Sequence, residues 1–228
     1  MKLIFQCRQA LVGDVETFAF SSAVPVIWLP GQYIHYTLPQ EAPDERGEER
    51  WFTISSAPFE AEIRITTRIF DRPSTFKQRL MTLKPGDEVE VDPPEGDFVL
   101  GDDSRQYIFV AGGIGITPFR AIIKALDHDG KNIKIDLLYA NRNDTDIVFQ
   151  AELEEIASRH DDFNIRYFVG DTRIDGETLD ACKSAYHDPY FYISGPEPMV
   201  ESFKAMLSEL GVSKDHRQLD FFPGYVAE

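Results

Sequence analysis

The stretch Tyr107-Ile-Phe-Val-Ala-Gly-Gly-Ile-Gly-Ile-Thr-Pro-Phe-Arg-Ala-Ile-Ile-Lys-Ala-Leu-Asp-His-Asp-Gly130 decides the fold. It is an apolar strand-like run, a glycine-rich break, and a helical run with Pro118 at its start. The same order of strand then helix follows three times: IKIDLLYAN then VFQAELEEIASRH, FNIRYFVG then ETLDACKSA, and PYFYISG then PEPMVESFKAMLSELG. Alternation of this kind implies a parallel sheet covered by helices. Ligands bind such sheets at the carboxyl ends of the strands. The first of those ends carries Gly112-Gly113-Ile114-Gly115-Ile116-Thr117-Pro118, and the fourth carries Ser194-Gly195-Pro196-Glu197-Pro198-Met199. Glycines let a phosphate approach the backbone, and Pro118 suits a first helical turn whose free N–H groups face an anion. The spacing is not GxGxxG, so by itself it fits a tight connection equally well.

Upstream the rhythm is different. Short runs with strand chemistry cover Leu3 to Cys7, Thr17 to Phe20, Gln32 to Leu38, Trp51 to Ser55, Ile63 to Thr67 and Glu88 to Val91, with turns at Pro30-Gly31 and Pro85-Gly86. One helical pattern interrupts them, Thr75 to Leu83, with Phe76, Leu80 and Leu83 on one face. Many short strands and one helix predict a small antiparallel barrel. The boundary falls in the polar run from Leu100 to Arg105, giving domains at 1–102 and 103–228.

Composition narrows the function. The 228 residues include 23 Lys and Arg against 39 Asp and Glu, a formal charge of −16, which opposes nucleic-acid binding because phosphate neutralisation supplies most of that affinity. Cys7 and Cys182 are too few for an iron–sulfur cluster or an all-thiolate zinc site, and the histidines show no metal-ligand spacing, so no metal is expected. Gln6, Arg8 and Gln9 interrupt the apolar N-terminus, so no signal peptide or membrane span is expected and the cytoplasm is the default location. The acidic stretch PQEAPDERGEER at 39–50 reads as a solvated loop.

The strand after that loop, Arg50-Trp51-Phe52-Thr53-Ile54-Ser55-Ser56, sends Arg50, Phe52 and Ile54 to one face and Trp51, Thr53 and Ser55 to the other. One set can line a ligand and the other the core, although an ordinary barrel strand with a surface Arg reads the same way. Ser74 before the lone helix is a helix cap, with or without a phosphate beside it.

Taken in order, Pro30-Gly31-Gln32-Tyr33, Arg50-x-Phe52-Thr53-x-x-Ser56, Leu83-Lys84-Pro85-Gly86-Asp87, the Gly112 to Pro118 turn and Gly195-Pro196-x-x-Met199 resemble the ferredoxin-NADP reductase superfamily. The resemblance implies a Greek-key barrel that binds FAD, with FMN the lesser option, followed by an NAD(P)-binding α/β domain. It places Arg50 on the flavin phosphates, Trp51 and Phe52 along the flavin, Thr53 at the reactive N5, and Ser56, Thr66, Thr67, Arg68, Ser74 and Thr75 at further flavin contacts. Phe52 departs from the usual Tyr of that motif, and Ser74 and Thr75 match the phosphate-binding helix start only loosely, because the usual Gly of that motif is missing. On the α/β side it places Gly113, Gly115, Thr117 and Pro118 on the nucleotide, and Gly195, Pro196 and Met199 beside the nicotinamide; Asn141 and Arg142 follow the strand ending at Tyr139, where a basic side chain can meet a 2′-phosphate, although an Arg in a solvated loop reads the same way. Ser194 stands where many relatives carry Cys near the point of hydride transfer. The tail Asp220-Phe221-Phe222-Pro223-Gly224-Tyr225 resembles the aromatic segment that covers the flavin, with Phe222 or Tyr225 as the lid.

Thr53, Ser194 and Tyr225 are thus the residues nearest the implied chemistry, hydride transfer from NAD(P)H to flavin and then electron release to an acceptor. Arg142, with Arg173 further on, leans slightly toward NADPH. The stretch 64–84 holds six basic residues against one acid, Asp71, a local surplus of +5 that suits a small acidic acceptor such as a ferredoxin, a flavodoxin or an oxygenase component. Two other functions fit the same residues: a free-flavin or ferric-chelate reductase, and a non-catalytic nucleotide-binding subunit.

Overall fold

A computed structural model describes residues 1–102 and 104–222. The chain divides into two compact units, Met1–Val99 and a second that begins at Leu100.

In the first unit, six strands form one antiparallel sheet: β1 (Lys2–Ala10), β2 (Val15–Ser21), β3 (Tyr33–Thr37), β4 (Glu49–Thr53), β5 (Ile63–Arg68) and β6 (Glu88–Val91). Their order is β4-β3-β6-β1-β2-β5, so β6 returns to lie between β1 and β3, a Greek-key path. Alternation dictates the interior: Leu3 and Phe5, Phe18 and Phe20, Ile34 and Tyr36, Ile63 and Ile65, and Val89 and Val91 all point inward and are buried. Ile54 pairs with Ile65 in a single bridge, and the Ser55 N–H donates to the Arg64 carbonyl at 2.8 Å, which joins the β4 and β5 edges and closes the barrel. The one helix, α1 (Thr75–Met81), plugs the barrel with Phe76 and Leu80. Ser74 caps it by accepting a hydrogen bond from the Lys77 N–H.

The second unit is a parallel sheet of β7 (Tyr107–Gly112), β8 (Ile135–Asn141), β9 (Phe163–Val169), β10 (Tyr190–Pro196) and β11 (Arg217–Phe222), in the order β11-β10-β7-β8-β9. Helices α2 (Ile116–His128), α3 (Gln150–Ala157), α4 (Gly176–Ala185) and α5 (Glu197–Glu209) connect them. Both faces of β7 are covered, as its unbroken apolar run requires. Ile108 and Val110 pack with Leu179 of α4 and with Val200 and Phe203 of α5, while Phe109 stacks on Phe119 of α2 at 4.4 Å. The chain leaves β7 toward β8 on one side, and β10 lies on the other, so the order reverses between β7 and β10. That reversal brings the Gly112 and Gly195 turns together. The sequence predicted four strands here. The fifth, β11, takes residues of the expected covering tail, and Phe222 sits in it, in register with Pro196.

Candidate functional site

The barrel gathers its predicted residues in two places. Around α1, the Arg50 guanidinium lies 5.4 Å from the Phe76 ring centroid and the Phe52 ring lies 5.7 Å from it. Arg50 is only 6% exposed. Its Nη1 donates to the carbonyls of Arg46 (2.7 Å), Gly47 (3.1 Å) and Glu49 (2.7 Å), and its Nη2 donates to Asp44 Oδ1 at 2.9 Å. Asp44 Oδ2 accepts from the Thr75 N–H at 3.1 Å, and the Asp44 N–H donates to Thr75 Oγ1 at 2.9 Å. The acidic loop is therefore tied to Arg50, the predicted phosphate contact, and to Thr75, a predicted flavin contact at the start of α1. Phe52, without the hydroxyl of a Tyr, is held by ring packing between Tyr36 and Phe76.

The second place is a run of hydroxyls where β4, β5 and β2 meet. Thr66 Oγ1 lies 2.8 Å from both Thr17 Oγ1 and Ser55 Oγ. Ser56 is consumed by the hairpin, donating to the Glu62 carbonyl at 2.7 Å and accepting from the Arg64 N–H at 3.0 Å. Thr67 is buried beside them. Thr53 is 6% exposed, on the strand face opposite Phe52. Arg68 pairs with Asp14, and Trp51 lies on the outer face, 55% exposed and stacked on His35 at 4.6 Å.

In the α/β unit the glycines have distinct duties. Gly113 takes a φ of +53°, which turns the chain out of β7. A Cβ on Gly115 would lie 2.2 Å from the Ser194 carbonyl oxygen, so this glycine lets the α2 turn press on the backbone of β10. Met199 fills the space that a side chain on Gly112 or Gly195 would take, its Sδ lying 2.3 Å from the Cβ position on Gly112. The Tyr139 hydroxyl donates to the Gly113 carbonyl at 3.1 Å and steadies the turn. Thr117 is buried and donates back to the Ile114 carbonyl at 3.1 Å, beside buried Pro118.

Asn141, at the carboxyl end of β8, is 8% exposed, yet neither its side-chain nitrogen nor its oxygen has a partner among the described residues. A buried amide with both ends free fits a ligand that brings its own donor and acceptor. Arg142 beside it is exposed. Ser194 is fully buried and donates to Asp220 Oδ2 at 3.0 Å. Burial pushes the Asp220 carboxyl up to about 6, with the Ser194 bond partly opposing. Tyr225 lies outside the described residues.

Asp44, Ser55, Tyr139 and Asp220 were missed in the sequence. Only Ser55 carried a signal, its place in the Arg50 strand.

The two units define a flavin-type barrel joined to a dinucleotide-type α/β unit, with no helix of the described residues long and apolar enough to cross a membrane. The family model for the oxidoreductase NAD-binding domain matches residues 109–205. The chain is 30% identical over 218 residues to NADH-cytochrome b5 reductase 1 of Aspergillus terreus, covering 88% of this chain and 73% of that protein. It is 27% identical over 227 residues to the glycine betaine monooxygenase reductase subunit of Chromohalobacter salexigens, covering 92% of this chain and 60% of that one. Among solved structures, the flavohem-like FAD/NAD binding domain of nitric oxide dioxygenase from Vibrio cholerae superposes with a TM-score of 0.80 at 22% identity, over 97% of this chain and 98% of that one. The chain belongs to the ferredoxin-NADP reductase superfamily. It is an NAD(P)H-dependent flavoprotein oxidoreductase.

Proposed function

We propose that this chain holds FAD in the barrel, takes hydride from NAD(P)H held at the β7 and β8 ends, and passes electrons to a small redox protein. The observation that carries this is the buried Asn141 side chain at the carboxyl end of β8, whose nitrogen and oxygen both lack a partner among the described residues. Bound flavin would supply the hydride-accepting ring and the ability to release electrons singly or in pairs. The protein's part is orientation. Thr53 offers its hydroxyl to the edge of the ring, Arg50 and Thr75 take the phosphates, and Phe52 packs along the flavin. Asn141 and Arg142 hold the nucleotide, and Ser194, held by Asp220, borders the nicotinamide.

The relatives named above include a cytochrome b5 reductase and the reductase subunit of a monooxygenase, which supports a protein acceptor. Part of the basic surplus at 64–84 is offset within the chain: Arg64 pairs with Glu60 and Glu62, and Arg68 with Asp14. Arg72, just ahead of α1, is an exposed cation that suits an acidic carrier. Free Cys7 and Cys182 support a reducing compartment, the cytoplasm.

The test is a visible spectrum of protein mixed with FAD, then anaerobic titration with NADPH and NADH, then mixing with a ferredoxin or with ferricyanide. The expected result is a flavin band bleached by one nucleotide at low concentration, with Arg72→Glu slowing the ferredoxin step alone. A protein that binds nucleotide but never bleaches the flavin would replace this reading with a non-catalytic subunit. A second reading, in which flavin is an exchangeable substrate, is favoured by the carboxylate that Asp44 places on Arg50.

A further inference from the structure

Both places where the barrel would grip a flavin phosphate are joined by one carboxylate from the chain itself. Asp44 Oδ1 accepts from Arg50 Nη2 at 2.9 Å, and Asp44 Oδ2 accepts from the Thr75 N–H at 3.1 Å. Two oxygens of one anion bridging a guanidinium and a main-chain N–H is the arrangement a phosphate adopts. We infer that Asp44 is an internal stand-in for phosphate, which the phosphate of an incoming flavin must displace, so that this residue sets how tightly flavin is held. The inference rests on the flavin reading above and deepens it.

Four further observations carry it. The loop arrives as a preformed unit: the Arg46 N–H donates to Asp44 Oδ1 at 3.0 Å and the Gly47 N–H to the Asp44 carbonyl at 2.8 Å. Arg50 has little freedom to serve a second anion elsewhere, because its Nη1 is spent on three loop carbonyls and its side chain is buried. The charge is real. Burial works to raise the Asp44 carboxyl pKa, but the bonds from Arg46, Arg50 and Thr75 outweigh it and hold the group below the usual carboxylate range. Glu41, Glu45 and Glu48 on the same loop and Glu49 at the start of β4 add repulsion toward any dianion while the loop stays closed. Displacement therefore exchanges one charge-assisted contact for another, and the net affinity for a flavin phosphate is small compared with that of an open cationic site.

The experiment measures dissociation constants of riboflavin, FMN and FAD by flavin fluorescence, for the wild type and for Asp44→Asn, which keeps the size and an oxygen for Thr75 but removes the charge. The expected result is about tenfold tighter binding of FMN and FAD with riboflavin unchanged, since riboflavin has no phosphate. Inorganic pyrophosphate is expected to raise the melting temperature of Asp44→Asn at concentrations that leave the wild type unmoved. Should Asp44→Asn not fold, Asp44→Ser is expected to give the same order. Weaker FMN and FAD binding in the variant would overturn the inference, because Asp44 would then be orienting Arg50 for phosphate. An equal change for riboflavin would overturn it too. Pyrophosphate binding to the variant with no binding of any flavin would uphold the role of Asp44 and overturn the flavin reading instead.

Discussion

The two units meet the same problem, recognition of a phosphate-bearing nucleotide, from opposite starting points. In the barrel the phosphate-recognition groups are already paired, because Arg50 and Thr75 hold Asp44, and nearby the hydroxyls of Thr17, Ser55 and Thr66 hold one another. In the α/β unit the equivalent place keeps an amide unpaired in Asn141 and relies on glycines for close approach. A paired site is stable when empty and must exchange contacts to bind. An unpaired one is a standing cost of about 1–3 kcal/mol that the ligand relieves. The first arrangement suits a group that comes and goes without unfolding its holder, and the second suits a substrate bound for its missing contacts.

The largest effect should come from the glycine side of this contrast. Gly115→Ala puts a methyl group 2.2 Å from the Ser194 carbonyl oxygen and 2.8 Å from the Gly195 Cα, both backbone atoms that cannot turn aside. It should destabilise the α/β unit by about 3 kcal/mol, seen in urea unfolding followed through that unit, while the barrel keeps its own transition. A loss below about 0.5 kcal/mol would show that the α2 turn does not depend on close approach.

A middle effect belongs to Asp220. Its carboxyl is raised to about 6, so the folded protein holds this proton more tightly than the unfolded chain. The resulting stability is fully present below about pH 4 and is lost as pH rises through about 6. Relative to Asp220→Asn, the wild type should lose about 1–2 kcal/mol between pH 4 and pH 7, in unfolding curves at matched ionic strength. A difference between the two proteins that stays flat across that range would show Asp220 to be wetter than its place beside Ser194 implies.

Asn141 gives the smallest and most telling effect. Asn141→Leu should leave the free protein as stable or slightly more so, because it removes a buried amide with no partner, while raising KM for NAD(P)H about fivefold through the loss of about 1 kcal/mol of contact. Opposite movements of stability and KM are the signature. A drop in both would place Asn141 among structural residues and erase the contrast between the units.

Much of this was legible in the sequence because it follows from local pattern. Alternation gave the barrel strands, with Glu88–Val91 at its observed bounds, and the strand-to-helix rhythm gave the parallel sheet. The candidate residues Arg50, Thr53 and Gly115 follow from motif order, and Asn141 from its place at the carboxyl end of a parallel strand. What escaped was non-local or masked by composition. Asp44 sits in a run so rich in charge that it reads as solvent-facing, and its partner Thr75 is 31 residues away. Strand β11 is an edge strand whose Arg217, Gln218 and Asp220 blur the apolar run that marks an interior parallel strand. Asp220 becomes special only once that strand pairs with β10 and sets it opposite Ser194.

The barrel is closed between β4 and β5 by the single Ile54 and Ile65 bridge, with Ser55 bonding the Arg64 carbonyl through its N–H and through its hydroxyl at 3.1 Å. Such a join is the place where a barrel breathes, and its amides should exchange with solvent deuterium ahead of those in the long β1 and β2 ladder. The join runs directly past Thr53. A flavin bonded there would act as a clasp across it, so protection of the Ser55 amide would report the cofactor's arrival from the protein's side, independent of colour.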